Sequence, residues 1–91
     1  MATSRTIIDL DQQRITAALD QAAKKLDGNE KEVVLDFSCV RRIDSGDVRR
    51  LAEFAHAAEE KKVRVLLGGV DIDIYKVLKL TKLTREFGFV N

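Results

Sequence analysis

Residues 36–48 read DFSCVRRIDSGDV and contain the change from strand to helix that decides the fold. The preceding EVVLDF, residues 32–37, is a nearly continuous apolar run between charged flanks, which is typical of a strand buried on both faces of a sheet. Asp44 or Ser45 can cap a helix, because a side-chain oxygen there accepts hydrogen bonds from the free N–H groups of the first turn. The stretch therefore predicts a central strand, a short loop and the start of a helix.

Two further strands are expected, one before and one after this stretch. Residues 6–10, TIIDL, and 63–67, VRVLL, are short segments rich in β-branched or apolar residues. Gly68 and Gly69 end the second of them. Because strands alternate with helices, the strands should pair in parallel through right-handed crossovers, with helices covering at least one face of the sheet.

Three helices are predicted from apolar residues that recur at helical spacing behind a residue suited to the N-cap. The candidate N-caps are Asp11, Asp44 or Ser45, and Asp71 or Asp73. Gly28 should stop the first helix, and the second should end in the charged segment 59–62. The tail, residues 83–89, is apolar enough to dock on the rest of the chain.

Length, charge and cysteine count limit the classes of protein that fit. A chain of 91 residues is expected to form a single domain, residues 1–91, with one core. Sixteen basic residues against fifteen acidic ones give a net charge of +1, so no overall field attracts nucleic acid. The single cysteine, Cys39, cannot form an internal disulfide and suits a reducing, cytoplasmic location. No run approaches the roughly 20 apolar residues of a membrane span, so we expect an unanchored protein.

Candidate catalytic and cofactor-binding residues lack the partners that their chemistry needs. His56 has no set of cysteines or carboxylates around it at metal-ligand spacing. Ser45 as a nucleophile would need a base and an orienting group within reach, and the sequence offers only the distant His56. Gly68 and Gly69 lack the context that cradles phosphate, and the four phenylalanines lie in apolar contexts typical of a core. We therefore expect no enzyme, metal, cofactor or nucleic-acid partner.

Two features of the 36–48 segment allow more than one interpretation. Ser45 either caps the helix or faces the positive end of the helix dipole, which would stabilise a phosphoryl group on its hydroxyl. Arg41, Arg42, Arg49 and Arg50 form the densest basic cluster. These arginines are either solvated charges beside the aspartates of the helix start or a docking site for an acidic partner.

The same segment resembles the signature of the STAS family, the domain of anti-sigma factor antagonists and of sulphate-transporter tails. The family pattern, D-[LF]-S-x-V-x-x-[IV]-D-[ST] followed by two small residues and an apolar one, is matched by Asp36, Phe37, Ser38, Val40, Ile43, Asp44, Ser45 and Val48. The resemblance extends through 63–69 and through 75–83, with its terminal L-T-x-L element, and covers residues 32–90. It implies a STAS-like α/β domain with a mixed, mainly parallel sheet covered by amphipathic helices.

The sequence departs from the family pattern in two places. Family members usually begin with two strands before the first helix, whereas only residues 6–10 are available here, so the N-terminal edge is shortened. Switching members of the family carry D-S-S-G, with the second serine phosphorylated by a partner kinase. In this chain Gly46 stands at that serine and Asp47 at the glycine, so only Ser45 could substitute as phosphoacceptor.

The resemblance implies a non-enzymatic regulatory module that switches between protein partners, and the partner that it implies is an anti-sigma or histidine-kinase-like ATPase. The D-[ST]-G variant is also similar to the small STAS subunit bound to the ATPase of phospholipid-transport ABC systems, which gives an accessory subunit as the alternative. Asp47 could also imitate a phosphoryl charge, although helix starts favour aspartate in any case. The sequence also leaves open whether the protein forms a homodimer. The expected partner-binding residues are Arg42, Asp44, Ser45, Gly46, Asp47, Val48, Arg49 and Arg50.

Overall fold

A computed structural model describes residues 5–24, 26 and 31–90 of the chain. Strands and α-helices alternate through these residues, with a short 3₁₀ turn, Leu83–Arg85, before the last strand. In chain order the elements are β1 Arg5–Asp9, α1 Ile15–Lys24, β2 Glu32–Asp36, α2 Ser45–Glu60, β3 Arg64–Gly68, α3 Ile72–Leu80 and β4 Gly88–Val90.

The strands form one sheet in the order β1-β2-β3-β4, and each neighbouring pair is parallel. Val34 of β2 lies opposite Ile7 of β1 and Leu66 of β3, which fixes the register. Because all strands run the same way, the loops before α2 and α3 emerge at the same edge, which we call the carboxyl edge of the sheet. The predicted α/β fold is confirmed; the described strands are all parallel, whereas the resemblance implied a mixed, mainly parallel sheet.

The main core lies between one face of the sheet and the helices. Val33 and Leu35 of β2 and the matching Val65 and Leu67 of β3 point into it. The helices contribute buried apolar side chains that recur at helical spacing, among them Leu19, Leu51, Phe54, Ile74 and Leu78. The alternate residue Val34 is also buried, at 7% exposure, so β2 is covered on both faces as predicted.

The predicted strands agree with the structure to within one residue at each end. Asp71 is the N-cap of α3, which settles the choice between the two aspartates there. The first helix begins later than predicted, at Ile15, because Asp11 closes a turn by accepting the N–H of Gln13 at 3.0 Å. The predicted stop at Gly28 lies outside the described residues.

The C-terminal tail docks as predicted, but its last residues form a strand that the sequence did not indicate. Leu83 and Phe87 are buried, at 8% and 6% exposure. Phe89, expected in the core with the other phenylalanines, is 40% exposed, so that prediction was wrong. Phe89 lies in β4, whose three residues pair with β3 alone among the described strands, and an edge position leaves side chains accessible.

Among the described residues, no helix is both long and apolar enough to cross a membrane.

Candidate functional site

The loop between β2 and α2 is anchored by apolar side chains at three points. Phe37 and Val40 are buried, at 0% and 1% exposure, and Ile43 packs against the core while remaining half-buried. The backbone N–H of Phe37 donates to the carbonyl of Gly68 at 2.8 Å, which extends the β2–β3 pairing by one residue. The loop is thereby held at the carboxyl edge of the sheet, and the apolar positions of the 36–48 pattern have a structural explanation.

Asp36 and Ser38 close the first turn of this loop. The carboxylate of Asp36 accepts hydrogen bonds from the backbone N–H of Ser38 at 2.9 Å and from the Ser38 hydroxyl. These two bonds lower the pKa of Asp36, because they favour its ionised form more than partial burial disfavours it. The first and third positions of the 36–48 pattern therefore shape the turn that leads to α2.

Gln12, which the sequence did not single out, holds the second half of the loop. Its Oε1 accepts the backbone N–H groups of Arg41 and Arg42 at 2.7 and 3.1 Å, and its Nε2 donates to the Arg42 carbonyl at 2.9 Å. One amide side chain thus satisfies three backbone groups of an irregular segment. Because Gln12 is 29 and 30 residues away from its partners, no local pattern could have revealed the contact.

The start of α2 is closed by a reciprocal cap. Asp44 is the N-cap, with its Oδ1 accepting the backbone N–H of Asp47 at 2.9 Å, and the Oδ2 of Asp47 accepts the backbone N–H of Asp44 at 3.1 Å. The interpretation of Ser45 as the N-cap is therefore wrong: Ser45 is the first helical residue, and it is exposed. We call residues 44–49 the α2 entrance.

Asp47 contributes to the cap of α2 as well as carrying charge. Burial raises the pKa of its carboxyl, the nearby charge of Asp44 raises it further, and the hydrogen bond from the Asp44 backbone opposes both. Since Asp47 completes the cap, its presence is explained by helix initiation, which supports the capping explanation over imitation of a phosphoryl group.

The arginines around the α2 entrance differ in their surroundings. Arg50 is turned toward α1, where its guanidinium pairs with Asp20 at 2.9 Å and lies 3.7 Å from Glu53. Arg42 and Arg49 are exposed, and in the described part of the chain neither makes an ion pair. Arg49 lies four residues after Ser45 and therefore on the same side of the helix. The structure thus groups Arg49 with Ser45 and separates Arg50 from them.

Glycines bring the loops of the carboxyl edge close together. Gly69 has a φ of +64°, and a Cβ built there would lie 3.0 Å from the backbone nitrogen of Ser38. The loop before α3 therefore lies directly against the loop before α2. At Gly46 the space is less restricted, since a Cβ would meet only the Asp44 Oδ1, at 3.3 Å.

The α2 entrance presents polar groups without a catalytic arrangement. Ser45 is separated from His56 by eleven residues of one helix, a rise of roughly 16 Å. The side chain of His56 is exposed to solvent. Within the described residues, no group of histidine, cysteine and carboxylate side chains could hold a metal ion.

Comparison with known proteins identifies the fold and the family. A family model described as "Mlab, STAS domain" matches residues 9–90. No curated protein sequence matches the chain. A solved structure of a sulfate transporter family protein from Wolinella succinogenes is 20% identical with a TM-score of 0.79, covering 98% of this chain and 80% of that chain.

Two further solved structures are similar over nearly the whole chain. RsbS from Moorella thermoacetica, with a serine-to-glutamate substitution, is 18% identical with a TM-score of 0.81, covering 98% of this chain and 80% of its own. A Thermotoga maritima protein described as an anti-sigma factor antagonist is 15% identical with a TM-score of 0.74, covering 100% of this chain and 76% of its own. At such identities the structural likeness shows the fold, whereas the family model covers nearly all of the sequence, and the chain belongs to the STAS domain family.

Proposed function

We propose that this STAS domain is a non-enzymatic regulatory module that binds a protein partner through the α2 entrance. The observation that carries the proposal is the exposure of Ser45 and Gly46 on a helix start whose backbone is already fixed. The Asp44–Asp47 cap holds that backbone from within, and Gln12 holds the loop before it. A surface ordered in advance loses little conformational entropy on binding, which favours affinity.

The expected partner is an ATPase that contacts a polar surface. Arg42 and Arg49 leave positive charge exposed beside the acidic cap, so the partner should present both acidic and hydrogen-bonding groups. By resemblance to anti-sigma factor antagonists, the first candidate is an anti-sigma or histidine-kinase-like ATPase in the cytoplasm. A single domain over residues 1–91 and a homodimer stay predictions, as do the partner-binding roles of Arg42, Asp44, Ser45, Gly46, Asp47, Val48, Arg49 and Arg50.

In the switching form of this proposal, Ser45 accepts a phosphoryl group that releases the partner. Ser45 is exposed at the first helical position, where unpaired backbone N–H groups and the helix dipole favour a negative charge. A phosphoryl group adds roughly two negative charges, which would be repelled by the two aspartates of the cap and would be costly to bury against a partner.

A second candidate is a constitutive accessory subunit of an ABC-type ATPase. Two observations favour it: Gly46 stands where the switching members of the family carry the phosphoacceptor, and the matching family model is described as "Mlab, STAS domain". In this case Ser45 donates or accepts a hydrogen bond across a permanent interface and is not modified.

The contact surface is tested by calorimetric titration with ATPases encoded by genes beside this one. Ser45→Asp should weaken binding at least tenfold, whereas His56→Asp, which adds the same charge farther along the same side of α2, should bind as the unsubstituted protein does. Full affinity of Ser45→Asp would contradict the proposal.

Intact-mass spectrometry after incubation with the bound ATPase and ATP separates the two candidates. A phosphate that appears on the protein and is lost in Ser45→Ala supports the switch. A stoichiometric complex that stays unmodified supports the accessory subunit. As a control on the kinase, Gly46→Ser places a hydroxyl at the position where the resemblance expects the phosphoacceptor.

A further inference from the structure

Of the large apolar side chains exposed in the described chain, all but Ile7 of β1 lie on α3 or β4. Ile72, Tyr75 and Leu80 of α3 are 67%, 41% and 83% exposed, and Phe89 of β4 is 40% exposed. The rings of Tyr75 and Phe89 meet edge to face, with their centroids 5.4 Å apart, so the helix and the strand present one continuous surface. We call Ile72, Tyr75 and Phe89 the α3–β4 surface; Leu80, five residues and therefore about 140° around α3 from Tyr75, lies outside it.

A groove of about 410 Å³ runs between the helix and the strand. Val70, Ile72 and Tyr75 line one side, and Phe89 and Val90 line the other. A concave apolar site of this size accommodates side chains of a bound segment. Among the described strands, β4 pairs only with β3, so its outer edge has no described neighbour to occupy it.

Beyond the start of α3, where Asp71 and Asp73 lie, the charge around this surface is positive. Residues 74–85 contain Lys76, Lys79, Lys82 and Arg85 and no acidic residue, in a chain whose net charge is only +1. Lys76 lies one helical turn after Ile72, and Lys79 one turn after Tyr75, so both lysines border the apolar residues. The complement of this surface is therefore a segment whose apolar side chains are flanked by carboxylates.

We propose that the α3–β4 surface binds an acidic polypeptide segment of a partner, whose apolar side chains fill the groove while its carboxylates face Lys76 and Lys79. An extended segment suits the surface because its backbone can pair with an exposed strand edge, while acidic residues that flank its apolar centre reach the lysines. A flat anionic membrane fits less well, because the apolar residues line a groove between α3 and β4. The surface shares no residue with the α2 entrance, and this proposal does not depend on the function proposed for that entrance.

The test is an NMR titration of the full chain with a synthetic peptide in which leucines are flanked on both sides by glutamates. We expect amide shifts confined to residues 70–80 and 88–90, and none with the peptide in which lysine replaces glutamate. Lys76→Glu combined with Lys79→Glu should weaken binding about tenfold. The matched control, Lys24→Glu combined with Lys61→Glu, alters two exposed lysines outside the surface and should bind normally.

Ser45→Asp should also leave the peptide affinity unchanged, which keeps this test independent of the α2 entrance. Circular dichroism melts confirm that the variants fold, since all the substituted residues are exposed. No shifts at millimolar peptide, shifts located elsewhere, or equal binding of the lysine peptide would overturn the proposal. Preferential binding to phosphatidylglycerol vesicles or to a single-stranded oligonucleotide would overturn it as well and assign the surface to that ligand.

Discussion

The carboxyl edge of the sheet carries two helix starts of opposite character. The α2 entrance is closed by a reciprocal cap of Asp44 and Asp47, and its loop is tied to Gln12. The start of α3 has a simpler cap, in which Asp71 accepts the N–H of Asp73 at 2.9 Å. Ile72, which directly follows Asp71, is 67% exposed.

The difference suggests that the two starts suit different kinds of contact. A polar surface with a fixed backbone suits a partner that forms directed hydrogen bonds, and added charge can break that contact. An exposed apolar surface bordered by lysines suits a segment that is held by side-chain burial. Four predictions test this comparison, beginning with the largest expected effect.

Gly69→Ala should lower the free energy of unfolding by about 2–3 kcal/mol, because alanine is strained at positive φ and its Cβ would press on the Ser38 backbone. This close approach joins the two helix starts. Gly46→Ala is the matched control: alanine favours the helix by up to about 1 kcal/mol, while the 3.3 Å approach to Asp44 opposes it. Chemical denaturation measures both, and equal effects would show that the two loops do not touch.

Removal of the two caps should have unequal effects. Asp44→Ala should cost about 1–2 kcal/mol, since it eliminates the acceptor of a reciprocal cap, and Asp71→Ala should cost about 1 kcal/mol or less. Asp44→Asn retains a good capping oxygen and should lose only a small part of that stability. Urea midpoints compare the three variants, and a larger loss for Asp71→Ala would reverse the ranking of the two starts.

Gln12→Ala should cost about 1 kcal/mol, because three hydrogen bonds to the α2 loop are lost but their backbone partners can turn to water. It should also raise hydrogen exchange at Arg41 and Arg42 while leaving α3 unaffected. Gln13→Ala serves as control, since only the backbone of Gln13 is hydrogen-bonded in the described structure. Unchanged exchange at the two arginines would mean that the loop is held by its apolar anchors alone.

The smallest expected effect concerns two carboxylates of the α2 loop that titrate in opposite senses. The lowered pKa of Asp36 gives stability that is present above the ordinary value, about pH 4, and is lost as pH falls through its native pKa. The raised pKa of Asp47 means that its ionisation disfavours the native state as pH rises through the same region.

Melting temperatures between pH 2.5 and 7 test both signs. Asp36→Asn should melt below the unsubstituted protein at neutral pH and approach it at low pH. The melting temperature of Asp47→Asn, relative to that of the unsubstituted protein, should be higher at neutral pH than at low pH. If the difference in melting temperature between a variant and the unsubstituted protein stays constant across this pH range, the pKa shift assigned to that aspartate is contradicted.

The sequence sufficed for those parts of the fold that local patterns determine. The apolar run of β2 predicted a strand buried on both faces, and the 36–48 pattern predicted the loop and the helix that follow it. The L-T-x-L element also has a local cause, because the Thr81 hydroxyl donates to the carbonyls of Val77 and Leu78 where α3 ends.

Features created by distant contacts or by an edge position escaped prediction. The link from Gln12 to the α2 loop depends on the sheet bringing together residues about 30 positions apart. Strand β4 is only three residues long, too short for alternation to be recognised, and its edge position leaves Phe89 exposed. The choice of Asp44 over Ser45 as N-cap depends on the reciprocal bond with Asp47, which becomes visible only in three dimensions.

The central claim is that another polypeptide binds the α2 entrance. Photo-crosslinking in cells tests it most directly. A benzophenone side chain at position 45 should form a covalent adduct with an ATPase, whereas the same group at position 56, on the same side of α2 but roughly 16 Å along it, should form none. An adduct at position 56 without one at position 45 would contradict the claim.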